Sequence, residues 1–282
     1  MLDIFVITAV AAKFVLYVAL LTAVGSMLVS VLFDLQNLTR LVFWMVVTTL
    51  IASIVLYSID AITLTGDFSG FVDMEILTLI SETSNGQAFF VRLLGISLIF
   101  AGLFLNRIGK WLAVLGALIA VYSFTQVGHM SDKSSGLITI SLFIHLIAAS
   151  LWIGILFPLR KMALSEKDHN KTARIAHRFG QIASGFVPVL ISVGVYMAWQ
   201  LFDSFLSLVT SGYGQVFLAK IVAVSSLLGL AARNKLKFVP ELRRGNIQAA
   251  KHLANTINYE WMVFIIVLLA TALLTTASDL PS

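Results

Sequence analysis

The chain has 282 residues, 59% of them apolar and 12% charged, with a net charge of +5 and no cysteine. A soluble domain of this length cannot hide so much apolar surface, because polar side chains must cover its exterior. The absence of cysteine excludes disulfides, thiolate metal sites and thiol catalysis, so any metal must use imidazole, thioether, carboxylate or backbone oxygen.

A membrane-crossing helix needs about 20 mostly apolar residues. In chain order, the runs 4–33, 41–62, 87–106, 110–129, 136–160, 179–203, 214–234 and 256–278 meet that requirement and predict an all-α membrane protein of about eight transmembrane helices. The first run reads as a retained helix: it is too long for a signal sequence, Lys13 interrupts it and no basic segment precedes it. The stretches 70–84 and 204–212 mix apolar and polar residues and are too short to cross, so they read as amphipathic helices lying on the outer surface.

Loop charge sets the orientation, since cations collect on the cytoplasmic side. Arg40, Arg107 and Lys110 lie between spans 1 and 2 or 3 and 4. Six more cations (Arg160, Lys161, Lys167, Lys171, Arg174, Arg178) lie between spans 5 and 6, and another six (Arg233, Lys235, Lys237, Arg243, Arg244, Lys251) between 7 and 8. The alternate loops carry Asp67, Asp73, Glu75, Glu82, Asp132 and Asp203, with Lys133 as their only cation. This alternation predicts both termini on the outer side of the membrane.

The stretch Gly86-Gln-Ala-Phe-Phe-Val-Arg92 recurs 128 residues later as Gly214-Gln-Val-Phe-Leu-Ala-Lys220, and Asn106-Arg107 is echoed by Arg233-Asn234. The period is close to four helices, which predicts two parallel four-helix repeats, 1–130 and 131–282. Transporters built from repeats place their sites at the repeat interface; an old duplication kept for packing would leave the same trace.

Ionisable groups inside spans are costly and are usually paired or functional. Lys13, Arg92, His145 and Lys220 fall in the outer halves of their spans, roughly 8–14 Å below the boundary at about 1.5 Å of rise per residue. Arg92 and Lys220 are expected to snorkel or to pair with Asp60, Glu82 or Asp203. Lys13 is deeper, placed to neutralise a buried carboxylate or to repel cations. Glu260, near the inner end of the last span, is expected to cap a cationic partner at the cytosolic face.

His169, His177 and His252 lie in basic loops and read as solvated surface residues. His129, followed by Met130, ends span 4, and His145 lies about nine residues into span 5. A short loop joins these spans, so they are antiparallel neighbours, and the two imidazoles with the Met130 thioether are candidate ligands of one ion. Imidazole with thioether favours Cu(I) over Cu(II) or hard cations. Trp152 follows His145 by seven residues, on the same helical face. The alternative for His145 is a hydrogen bond to a neighbouring carbonyl or serine.

At these residues the chain resembles the copper resistance protein D (CopD) family of bacterial inner-membrane proteins. His145-Leu-Ile-Ala-Ala-Ser-Leu-Trp-Ile-Gly154 with Pro158 resembles the family's His…Ala-Ala-x-x-Trp-x-Gly segment, and Gly128-His129 its Gly-His motif. Tyr213-Gly214, Lys220, Asn234 and Val239-Pro240 resemble its Tyr-Gly…Lys…Asn…Pro segment; Arg178-Phe179, Gly194-Val-Tyr196 and Glu260 also agree. The likeness is best over 120–280. In the looser first half, Lys13 stands where the family has an arginine, which keeps the charge but not the guanidinium. The resemblance implies copper movement across the inner membrane, inward, often with a separate small periplasmic copper-binding partner.

Two other readings stand beside a copper transporter. A haem-binding electron-transfer protein would use His129 and His145 as axial ligands, although one of them lies at a helix edge. A copper sensor or assembly factor would bind the ion without moving it. An enzyme is not expected, since no nucleophile triad, HExxH helix or nucleotide-binding motif is present. Anionic lipid headgroups suffice as partners of the basic loops, without nucleic acid; a homo-oligomer is left open.

Overall fold

The computed structural model describes residues 4–35, 38–66, 68–105, 108–127, 136–165, 169–201 and 205–276. Among them every regular element is helical: α1 Ile4–Leu32, α2 Thr39–Thr65, α3 Met74–Glu82, α4 Ser84–Phe104, α5 Gly109–Tyr122, α6 Gly136–Ala163, α7 His169–Leu201, α8 Phe205–Thr210, α9 Gly212–Arg233, α10 Val239–Arg243 and α11 Gln248–Thr276, with short 3-10 turns at Phe68–Phe71 and Ser123–Gln126. Seven of the helices are long and apolar enough to cross a membrane. The expected fourth span is the exception. It is a 14-residue α-helix continued by the four-residue 3-10 turn Ser123–Gln126. At about 1.5 and 2.0 Å of rise per residue, the two pieces together still reach about 29 Å, the thickness of a hydrocarbon core.

Three spans run further than their apolar stretches. α7 begins ten residues before the expected start, α11 begins eight before, and α9 runs on through the π turn Asn234–Phe238 into α10. The added turns carry Lys171, Arg174, Lys235, Lys237 and Lys251. Hydropathy marks where a helix leaves the oil, whereas its hydrogen-bond ladder continues into water. The two stretches expected at the interface are helical as α3 and α8, with Met74, Leu79, Leu206 and Val209 exposed.

α1 is the centre of the bundle and packs on α2, α5, α6 and α11. Helices in lipid gain little from apolar burial against one another, so close approach of backbones through small residues sets the packing. A Cβ built on Gly25 would lie 1.7 Å from the Ser150 carbonyl oxygen, and one on Gly154 would lie 2.1 Å from the Gly25 carbonyl carbon. α1 and α6 therefore cross backbone to backbone. A second seam joins α4 to α5. Gly95 faces Gly116 and Gly102 faces Gly109, with added Cβ atoms 2.3–2.6 Å from the opposing backbone. The seven-residue spacing on both helices keeps the four glycines in one stripe and makes α5 the antiparallel return of α4.

The 128-residue pattern corresponds to one local geometry repeated. Thr83 Oγ1 accepts from the Gly86 amide at 3.2 Å, and Ser211 Oγ accepts from the Gly214 amide at 3.0 Å. A Cβ on Gly86 would lie 2.1 Å from the Ile80 carbonyl, and one on Gly214 would lie 2.1 Å from the Leu208 carbonyl. Each short surface helix thus folds back onto the first turn of the next span, and a hydroxyl N-cap holds the corner.

Candidate functional site

His145 projects from the N-terminal half of α6 and is half-buried. Its Nδ1 is buried and has no hydrogen-bond partner among the described residues. The Lys220 ammonium on α9 is within electrostatic reach of the ring. Tyr122 at the end of α5 meets Phe143 edge-on at 5.9 Å, which sets the helix preceding His129 beside the helix that carries His145. His129 and Met130 themselves lie outside the described residues. Among the described residues no cluster of three metal-ligating His, Asp or Glu side chains occurs.

Arg92 is buried and, among the described residues, which leave out Asp203, pairs with no acid. It is 6% exposed, and its guanidinium donates to Ser123 Oγ at 3.1 Å and to Ser53 Oγ at 3.3 Å. It also stacks over the Phe124 ring at 5.3 Å. The 3-10 turn brings Ser123 and Phe124 within reach, so the cation is held by hydroxyls and a ring face in place of a carboxylate. Lys13 donates to the Thr275 carbonyl at 2.9 Å, and the Tyr17 hydroxyl lies 3.2 Å from Thr275 Oγ1. Thr275 is in the last turn of α11, where carbonyls lack intrahelical donors and a cation is favoured. Asp60, which accepts from Asn85 Nδ2 at 3.1 Å, is within electrostatic reach of Lys13.

Among the described residues no cation pairs with Glu260. Its Oε2 accepts from Trp152 Nε1 at 3.1 Å and its Oε1 accepts from Asn234 Nδ2 at 2.6 Å; both donors are neutral. The nearby cation Arg160 is bonded instead to Asn258 Oδ1. Trp152 is held edge-on by Phe186 and Phe264. It shares a helical face with His145, but two turns, or about 10 Å, separate them along α6. The sequence-predicted residues therefore fall into three places: His145 with Lys220, Arg92 in its hydroxyl cage, and Trp152 with Glu260. In the sequence Asn234 stands out only as a repeat and motif residue. Its place opposite Glu260 depends on the π turn, whose Val239 amide bonds to the Asn234 carbonyl.

Residues 1–140 match the model of the copper resistance protein D-like N-terminal domain, and residues 173–274 match that of copper resistance protein D. The chain belongs to the copper resistance protein D family. It is 27% identical over 135 residues to the inner membrane protein YebZ of Escherichia coli (strain K12), a match spanning 47% of this chain and 46% of that one. No solved structure matches. Trp152, Asn234 and Glu260 come together on the side of the bundle that bears the basic loops, and Lys220 is within electrostatic reach of His145.

Proposed function

We propose that this protein carries copper across the bacterial inner membrane, from the periplasm inward, and receives Cu(I) at an outer-face site made by His145 with His129 and Met130. Family membership supports copper as the cargo. The observation that carries the site is the buried, unpartnered Nδ1 of His145, because buried polar atoms are almost always bonded and an orphan marks a place for an ion or ligand. Neutral imidazole is an acceptor with one free lone pair, which suits a soft monovalent metal.

Both termini face the periplasm in this reading, as the loop charges require, and a separate periplasmic copper-binding protein delivers the ion. Lys220 beside the imidazole keeps the ion from being held too tightly, since conduction requires a site that also lets go. The role is that of a carrier or channel, with no bond-making step.

Proteoliposomes loaded with purified protein and given Cu(I) outside test this directly. Wild type accumulates copper, and His145→Ala cuts the rate at least about tenfold, equivalent to about 1.4 kcal/mol, with equal protein in the membrane. Unchanged flux in His145→Ala contradicts the route. Copper binding without flux in wild type would instead mark an assembly factor.

A further inference from the structure

We propose that Glu260, Asn234 and Trp152 form a proton-exchange site at the floor of a cavity opening towards the basic loops. The cavity has a volume of about 190 Å³ and is lined by Trp152, Phe179, Ser184, Asn234, Lys235 and Glu260 among others. Lys235 is exposed at its rim and bonded to Ser184 Oγ, whereas Glu260 at the floor is 3% exposed. The space therefore leads from water to a buried carboxyl group.

No cation forms an ion pair with Glu260 among the described residues, where Lys110–Asp34 is the ion pair seen. An ionised carboxylate among Leu253, Ile257 and Phe264, held by two neutral donors, lacks compensating charge. A bound proton supplies it.

The neighbours suit both states of the group. Trp152 is a donor only, and its ring is fixed between Phe186 and Phe264. Asn234 is ambivalent. As placed, its Nδ2 donates to Glu260 Oε1 and its Oδ1 is buried without a donor. Rotating the amide by half a turn brings Oδ1 to the carboxyl group, where it accepts from a protonated acid. The 2.6 Å separation lies within the ordinary range for O–H···O. The π turn presents Asn234 here; such turns recur at functional positions.

Several charged groups on the surrounding elements are engaged elsewhere. Arg160 is bonded to Asn258, Arg178 stacks over Phe33, Arg233 lies over the Phe238 ring, against which His252 stacks, and Arg243 meets His177. Lys235 stays at the rim with Ser184. The step is a proton passing from water in the cavity to a Glu260 oxygen and back, with no other bond made or broken. In a carrier this site supplies proton coupling, a consequence that rests on the copper reading; the exchange itself does not.

Infrared difference spectra of the purified, copper-free protein between acid and alkaline buffer read the site alone. Wild type shows the carbonyl stretch of a protonated carboxylic acid at low pH and loses it at high pH, and Glu260→Gln lacks that band. Trp152→Phe, which removes one hydrogen bond, keeps the band and moves it to higher frequency. A pH-sensitive band unchanged in Glu260→Gln, a Trp152→Phe band at the wild-type frequency, or no such band in wild type overturns the proposal, whatever the copper experiments give.

Discussion

Arg92 and Lys220 stand 128 residues apart at matching places after matching corners, and their surroundings differ. Arg92 is enclosed by two serine hydroxyls and a phenylalanine face, whereas Lys220 is half-buried beside an imidazole. The glycines diverge in the same way. Those of α4 and α5 close a backbone seam, while Gly185 and Gly194 of α7 and Gly229 of α9 have open space where a Cβ would go. The α4–α5 seam and the α1–α6 crossing are locked by packing. α7 and the middle of α9 keep room where their glycines lie, and the cavity lies beside them. Loosely packed helices are the ones that open locally at low cost, which is what an ion path needs.

The largest effects are expected where glycines touch. Gly25→Ala and Gly154→Ala should each cost about 3 kcal/mol or more, read as loss of monodisperse protein or a large fall in melting temperature in detergent. Gly194→Ala, in open helix, should be neutral or stabilising by about 0.5–1 kcal/mol. Equal sensitivity of the three would erase the contrast between the closed crossing and the open helix.

Acidification probes the metal site. Only neutral imidazole binds the metal, so Cu(I) affinity should fall in acid, by up to about tenfold per pH unit where one proton competes. A Cu(I) competition titration from neutral to strongly acid buffer measures it, and a profile flat over the whole of that range contradicts imidazole ligation.

The paired cations then sharpen the difference. Lys220→Met should leave stability unchanged and strengthen Cu(I) binding by about tenfold, since a nearby positive charge is removed. Arg92→Met should leave binding unchanged and cost about 1–3 kcal/mol through lost hydrogen bonds to a charged donor. Thermal melts and Cu(I) titrations on both variants separate the two roles. The smallest effects belong to the corners. Thr83→Ala and Ser211→Ala should each cost about 1 kcal/mol, and by similar amounts if the two caps are equivalent.

Much of the fold was legible because the bilayer imposes one simple length on apolar runs: seven of the expected spans and the short helices α3 and α8 follow from it. The helix extensions were not, because hydropathy is blind to a helix continuing in water. The break in α5 was also hidden; Ser123-Phe-Thr-Gln126 differs little from the helical residues before it. For the site, Glu260 stood out as a charge in oil, but its partners Trp152 and Asn234 are 108 and 26 residues away and meet it only through α6–α11 packing and the π turn before Pro240. Proline cannot donate to the carbonyl four residues back, so a register change near it was foreseeable, though its direction was not. Ser53 and Ser123 gave no signal, since serine is common in helices and each also bonds its own backbone.

X-ray absorption of the Cu(I)-loaded protein tests the outer-face site most directly. Wild type should show imidazole nitrogen and thioether sulfur around copper, and His145→Ala should lose imidazole scattering while the Glu260→Gln spectrum stays as wild type. An identical spectrum in His145→Ala, or a shell of oxygen alone, would contradict copper capture at that residue.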